Sequence, residues 1–114
     1  MTDHLDVTEL EALADDLLAD ARAAGNGRAS RTVVGGARDS LHQTVIALAA
    51  GQELAEHSAP GQASVLVLRG RATIRFGGQE RTGGGGALLL VPAEPHSVAA
   101  HEDTVLLLTL ARER

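Results

Sequence analysis

Between Thr8 and Arg22 the apolar positions fall at Leu10, Leu13, Ala14, Leu17, Leu18 and Ala21, the three-and-four spacing of a helix that buries one stripe. Glu9, Glu11, Asp15, Asp16, Asp20 and Arg22 occupy the opposite side and read as a solvated face. Thr8 followed by Glu11 predicts a capping-box start, and Gly25-Asn26-Gly27 supplies the stop.

Beyond Gly27 the period shortens. The segments "RTVVGG", "HQTVIALAAGQEL", "ASVLVLRG", "RATIRFGG", "GALLLVPA", "PHSVAA" and "DTVLLLTLA" are apolar or β-branched and are separated by glycine, proline or polar turns, which predicts seven short strands in a sandwich or barrel. The chain divides into a helix and turn over residues 1–27 and a single barrel over residues 28–114. "RATIRF" alternates, with Ala72, Ile74 and Phe76 on one side and Arg71, Thr73 and Arg75 on the other, so this strand has one wet face. "SVLVL", "LLLV" and "VLLL" do not alternate and need cover on both faces. The N-terminal helix or a second subunit must provide it, and a homodimer is expected.

Composition narrows the function. A chain of 114 residues is too short to divide into two self-sufficient cores without disulfides or metal, and it contains no cysteine. Any metal would have to be held by imidazole, carboxylate, amide or water, and a reducing, cytoplasmic setting is the simplest expectation. The net charge is −5, and the ten basic residues are all arginine and are scattered, which argues against a nucleic-acid surface. No apolar run approaches the roughly 20 residues of a membrane span, so a soluble protein is expected. Phe76 is the single aromatic residue, which removes the stacking platform that flat ligands and unpaired bases use.

Gly83 to Gly86 form a "GGGG" run that lacks the Lys-Ser/Thr of a phosphate-binding loop and precedes a strand-like segment, so it reads as a turn. Around it, residues 42 to 110 resemble the cupins, a family of small jelly-roll barrels with two sequence motifs. The first, G-x5-H-x-H-x3-E-x6-G, is matched by Gly51, His57 and Gly70, and the second, G-x5-P-x-G-x2-H-x3-N, by Gly86 and Pro92. The resemblance implies a mainly β fold, a double-stranded β-helix, with His57 and His96 at the barrel mouth. In the family, the first motif supplies two histidines and a glutamate to a divalent metal, and the second motif a third histidine.

Here Ala59 and Ala63 stand at two of those ligand positions, Glu94 replaces the second motif's glycine, and His96 comes one residue early. His57 and His96 remain as candidate ligands for Zn, Ni, Fe or Mn, with Gln62 and His42 as candidate further ligands. Two side chains hold a metal poorly, because water must complete the shell. The simpler alternative for each histidine is a polar residue satisfied by a neighbouring carbonyl. His101 reads as a rim or surface residue, and Glu53, Glu56 and Glu94 are the carboxylates nearest the expected mouth.

Three functions stay open. The first is a barrel that binds a small molecule, or a weakly held metal, through His57, His96 and Gln62. The second is a metal-dependent enzyme of dioxygenase or isomerase type acting on a small oxygenated substrate, and the third is a non-catalytic structural dimer. The aliphatic lining and the absence of Tyr, Trp and Cys favour binding over catalysis.

Overall fold

A computed structural model describes residues 7–58 and 61–112. Its one helix, α1 (Leu10–Ala23), buries Leu13, Ala14, Leu17, Leu18 and Ala21, the stripe that the spacing marks out. The start differs from the expected capping box. Glu9 is the N-cap, no side chain caps the helix, and the Glu11 carboxylate bonds Arg69 instead. A charged guanidinium competes well for a carboxylate that could otherwise fold back onto its own helix end. At the other end the chain turns through Gly27, whose φ of 67° and close approach to the Gln52 side chain exclude a Cβ.

Nine strands follow: β1 (Arg28–Val34), β2 (Leu41–Leu48), β3 (Glu53–His57), β4 (Gly61–Arg69), β5 (Arg71–Phe76), β6 (Gln79–Gly84), β7 (Leu88–Val91), β8 (His96–Ala100) and β9 (Thr104–Arg112). The count exceeds seven for two reasons. The segment "HQTVIALAAGQEL" turns at Ala49–Gln52, so that β2 and β3 lie in different sheets. The polar stretch "QERTGG" forms β6 by pairing with β5 from Arg71↔Gly84 to Phe76↔Gln79. Gly83 and Gly84 of the glycine run therefore belong to a strand, and only its second half turns. A Cβ on Gly83 would lie 2.6 Å from that of Ala87, so glycine is what lets β6 cross close to the chain entering β7.

All pairings are antiparallel, in two facing sheets ordered β1-β2-β9-β4-β7 and β3-β8-β5-β6. This is the jelly-roll barrel that the sequence pattern predicts. Between the sheets pack Leu48, Val65, Val67, Ala72, Ile74, Val98, Ala100 and Leu106. Outside the larger sheet a second core joins α1 to Val45, Ala47 and Val105, with Leu68 and Leu107 against it. Of the strands that read as apolar on both faces, β4 and β9 are covered by the barrel on one side and, through Leu68 and Leu107, by the helix on the other, whereas Leu88 and Leu90 of β7 stay exposed. Two ion-pair clusters hold the helix down. Arg69 bonds Asp15 at 2.6 Å and Glu11 at 2.9 Å, and Arg22 bonds Asp103 at 2.6 Å. No helix of the described residues is long and apolar enough to cross a membrane.

Candidate functional site

The barrel has a sealed end and an open end, and strand register shows which is which. Ile46, Leu106 and Val67 form one inward row, Thr44, Leu108 and Val65 the next, and His42, Leu110 and Ala63 the third. At the near end, Leu48 and Thr104 are paired with each other and are both 0% exposed. Moving along the rows toward the far end, Thr44, Ile46, Leu108, Leu110 and Ala63 become half-buried, as do Leu54 and Val91 from neighbouring strands. Inward-facing apolar residues that stay partly accessible mark a concave, water-reachable mouth.

His57 and His96 stand together at this open end. His57 closes β3, His96 opens β8, and the two are register partners, with ring centroids 4.7 Å apart and planes tilted by 55°. The two sit at opposite ends of their strands, and antiparallel pairing brings the end of one against the start of the other. Between Leu54↔Val98 and His57↔His96 the register shifts by one, an irregularity in β3 that sets the two histidines opposite each other.

Each ring is anchored to the backbone carbonyl two residues before it. The His57 Nδ1–H donates to the Ala55 carbonyl at 2.8 Å and the His96 Nδ1–H to the Glu94 carbonyl at 3.0 Å. A carbonyl only accepts, so the hydrogen sits on Nδ1 in both rings, and no described residue bonds either Nε2. His96 is 3% exposed while His57 is exposed, which gives the pair a buried and a wet member.

The remaining candidates lie elsewhere. Gln62 shares a row with Leu41 and Ala111 on the outer face of the larger sheet, opposite to that of Ala63, and is exposed. The cause is the two-residue period of a strand, which turns neighbours to opposite faces. His42 lies in an inward row, but its Nε2–H donates to the Asp39 carbonyl at 2.8 Å and so ties down the β1–β2 connection. His101 bonds the Thr73 hydroxyl at 2.6 Å on the outside of the smaller sheet, at the sealed end. Glu53 pairs with Arg75 on the same outer face, and Glu56 and Glu94 are exposed. Ala59 lies outside the described residues. Sequence reasoning missed the half-buried inward residues Thr44 and Ile46 of β2, Leu54 of β3 and Leu108 of β9, whose grouping follows from strand pairing and not from any single strand.

Among the described residues no group of three His, Cys, Asp or Glu side chains could hold a metal. The imidazole pair supplies two donors, short of the three or four that hold Zn, Ni, Fe or Mn firmly, so these residues do not by themselves fit a resident metal.

No protein-family model matches the chain, and no curated protein does. Solved structures do match. A conserved Streptococcus pyogenes protein of unknown function is 34% identical, with 80% of this chain and 79% of that one covered and a TM-score of 0.71. An RmlC-like cupin protein from Desulfovibrio desulfuricans is 28% identical, with 74% and 81% covered and a TM-score of 0.64. The salicylate 1,2-dioxygenase of Pseudaminobacter salicylatoxidans is 20% identical with a TM-score of 0.74; 88% of this chain aligns to 33% of that one, a likeness of fold alone. Sequence motif, two-sheet topology and these neighbours agree, and the chain belongs to the cupin superfamily as a small cupin.

Proposed function

We propose that this cupin is a binding module that takes a small, mainly aliphatic molecule carrying an oxygen function into the open end of its barrel. The observation that carries this reading is the change along the inward rows from sealed to half-buried, with the His57–His96 pair at the accessible end. The apolar body would lie against Ile46, Leu54 and Leu108, and Nε2 of the two rings would meet the hydroxyl, carbonyl or carboxylate. Because Nδ1 of each ring is committed to a backbone carbonyl, the orientation of the pair is set before a ligand arrives, which lowers the ordering cost of binding. Among the described residues no hydrogen-bonded carboxylate stands beside the pair, which favours binding over acid–base chemistry.

A ligand that binds only the folded state must raise the melting temperature. A thermal-shift screen of short-chain alcohols, ketones and carboxylates is expected to yield a stabilising class whose effect disappears in His57→Ala and His96→Ala but persists in Gln62→Ala. A screen in which no compound stabilises the wild type, or in which the two histidine variants respond like the wild type, overturns the reading.

A second reading is a loosely held divalent cation that completes its shell with ligand oxygen and water. Its support is the Nδ1-to-carbonyl bonding of both rings, the arrangement that orients metal-bound histidines. Metal analysis of protein purified without a histidine tag tests it. Stoichiometric metal that is lost in both histidine variants would favour it over the metal-free module.

A further inference from the structure

The strand β1 is inverted for a member of a sandwich. Its pairing with β2 sets Arg28 opposite Leu48, Ser30 opposite Ile46 and Thr32 opposite Thr44, so these three share the inward face, while Ala29 and Val33 pack outward against α1. In a sheet that faces another, the inward residues are ordinarily the apolar ones. Here all three are polar and all three are exposed. The smaller sheet does not close over this face, and a seam is left between β1 and β3, an edge strand of each sheet.

That seam is a crevice of about 440 Å3, within the range of small-molecule sites, lined by Asn26, Arg28, Ser30, Thr44, Ile46 and Leu54. Half-buried Ile46 and Leu54 give it an apolar floor, shared with the open end of the barrel. Arg28 stands at one end of it, level with Leu48, and three residues beyond Leu54 along β3 comes His57. The Asn26 Oδ1 accepts the Arg28 N–H at 3.1 Å, which fixes the backbone from which the arginine departs. Among the described residues no carboxylate pairs with its guanidinium, whereas Arg22, Arg69 and Arg75 each have one. The two ends offer opposite chemistry. In the neutral rings each Nδ1 carries the hydrogen, so each Nε2 presents a lone pair that accepts from a hydroxyl and does not bond a carboxylate. A guanidinium only donates, and its planar fork matches a carboxylate.

We propose that the ligand is an aliphatic hydroxy acid lying along this seam, with its carboxylate on Arg28, its chain on Ile46 and Leu54, and its hydroxyl donated to Nε2 of the histidine pair. The inference rests on the binding reading above and narrows its ligand from any oxygen function to two, at opposite ends of one chain. Spacing decides where the hydroxyl belongs. Leu54 and His57 are three strand residues apart, roughly 10 Å at about 3.3 Å per residue, so the hydroxyl sits near the far end of the chain and not beside the carboxylate. The anion needs a direct partner because the whole chain carries a net charge of −5 and repels it at long range. Arg31 lies on the same strand but on the opposite face, opposite Val45, and so shares the long-range field without the contact.

Calorimetric titration with terminal hydroxy acids from hydroxybutyrate to hydroxydecanoate, each beside the diol and the plain carboxylate of equal length, tests both ends. At the best length the hydroxy acid is expected to bind the wild type at least about tenfold more tightly than the diol, the effect of one hydrogen bond to a charged group. Arg28→Gln should abolish that advantage and Arg31→Gln should keep it, while His57→Ala should abolish only the advantage over the plain carboxylate. Both arginines are exposed, so the unliganded variants should melt like the wild type. A diol that binds the wild type as well as the hydroxy acid, an Arg28→Gln protein that retains the preference, or an Arg31→Gln protein that loses it equally would each overturn the proposal and leave the binding reading standing. So would a wild type that binds none of these compounds while the thermal-shift screen yields histidine-dependent ligands of another class. A screen that yields no such ligand removes the binding reading itself, and the proposal with it.

Discussion

Each imidazole of the mouth is held by one short bond to the carbonyl two residues before it, yet the two sit in different surroundings. His96 is almost fully buried, so His96→Ala removes packing as well as the Nδ1–H bond and is expected to cost about 1–2 kcal/mol in urea unfolding. His57→Ala, at an exposed site, should cost less than about 0.5 kcal/mol. At the sealed end, Asp103 accepts from the Ala50 N–H at 2.9 Å and from Arg22, and these contacts, the backbone bond first, hold its carboxyl below its usual range. A depressed folded-state value means that the carboxylate stabilises the fold above the unfolded pKa of about 3.9, and that this stabilisation is lost as pH falls through the lower folded value. The stability gap between wild type and Asp103→Asn should therefore be full at neutral pH and close progressively below about pH 4. A gap that is independent of pH would show that the charge of Asp103 is irrelevant.

Among the elements, α1 and the β4–β5 joint do most to shape the barrel. The helix was legible from its stripe, because burial of every third or fourth residue needs no knowledge of what lies beneath. Leu17 is 3% exposed against the larger sheet, and Leu17→Ala is expected to lower stability by about 3 kcal/mol. Gly70 carries the chain from one sheet to the other with a φ of 87°, and a Cβ there would strike the Asp103 carbonyl and lie 2.5 Å from the Thr104 hydroxyl. Backbone strain and backbone collision add, so Gly70→Ala should cost more than about 2 kcal/mol, readable as a fall in melting temperature. The strand β6 was not legible, since "QERTGG" has no apolar alternation and becomes a strand only because β5 offers it a complete ladder. The facing of Gln62 was not legible for the related reason that proximity in sequence to a ligand position says nothing about which face a strand residue takes.

At the scale of the whole molecule, the helix and the two sheets cover most of the apolar residues, and among the described ones Val7, Val34, Leu41, Leu88 and Leu90 stay exposed. The sequence by itself determined the helix, the mainly β barrel, its glycine frame and the identity of the two histidines, because periodicity, turn residues and motif spacing are local properties of the chain. Only the tertiary structure decided that His57 and His96 meet. They are register partners across a shift of one residue in β3, a pairing that exists only once β8 lies beside it. The tertiary structure also decided which ends of the rows are sealed and which edge is left bare, since burial and edge exposure belong to the packed sheets and not to any single strand.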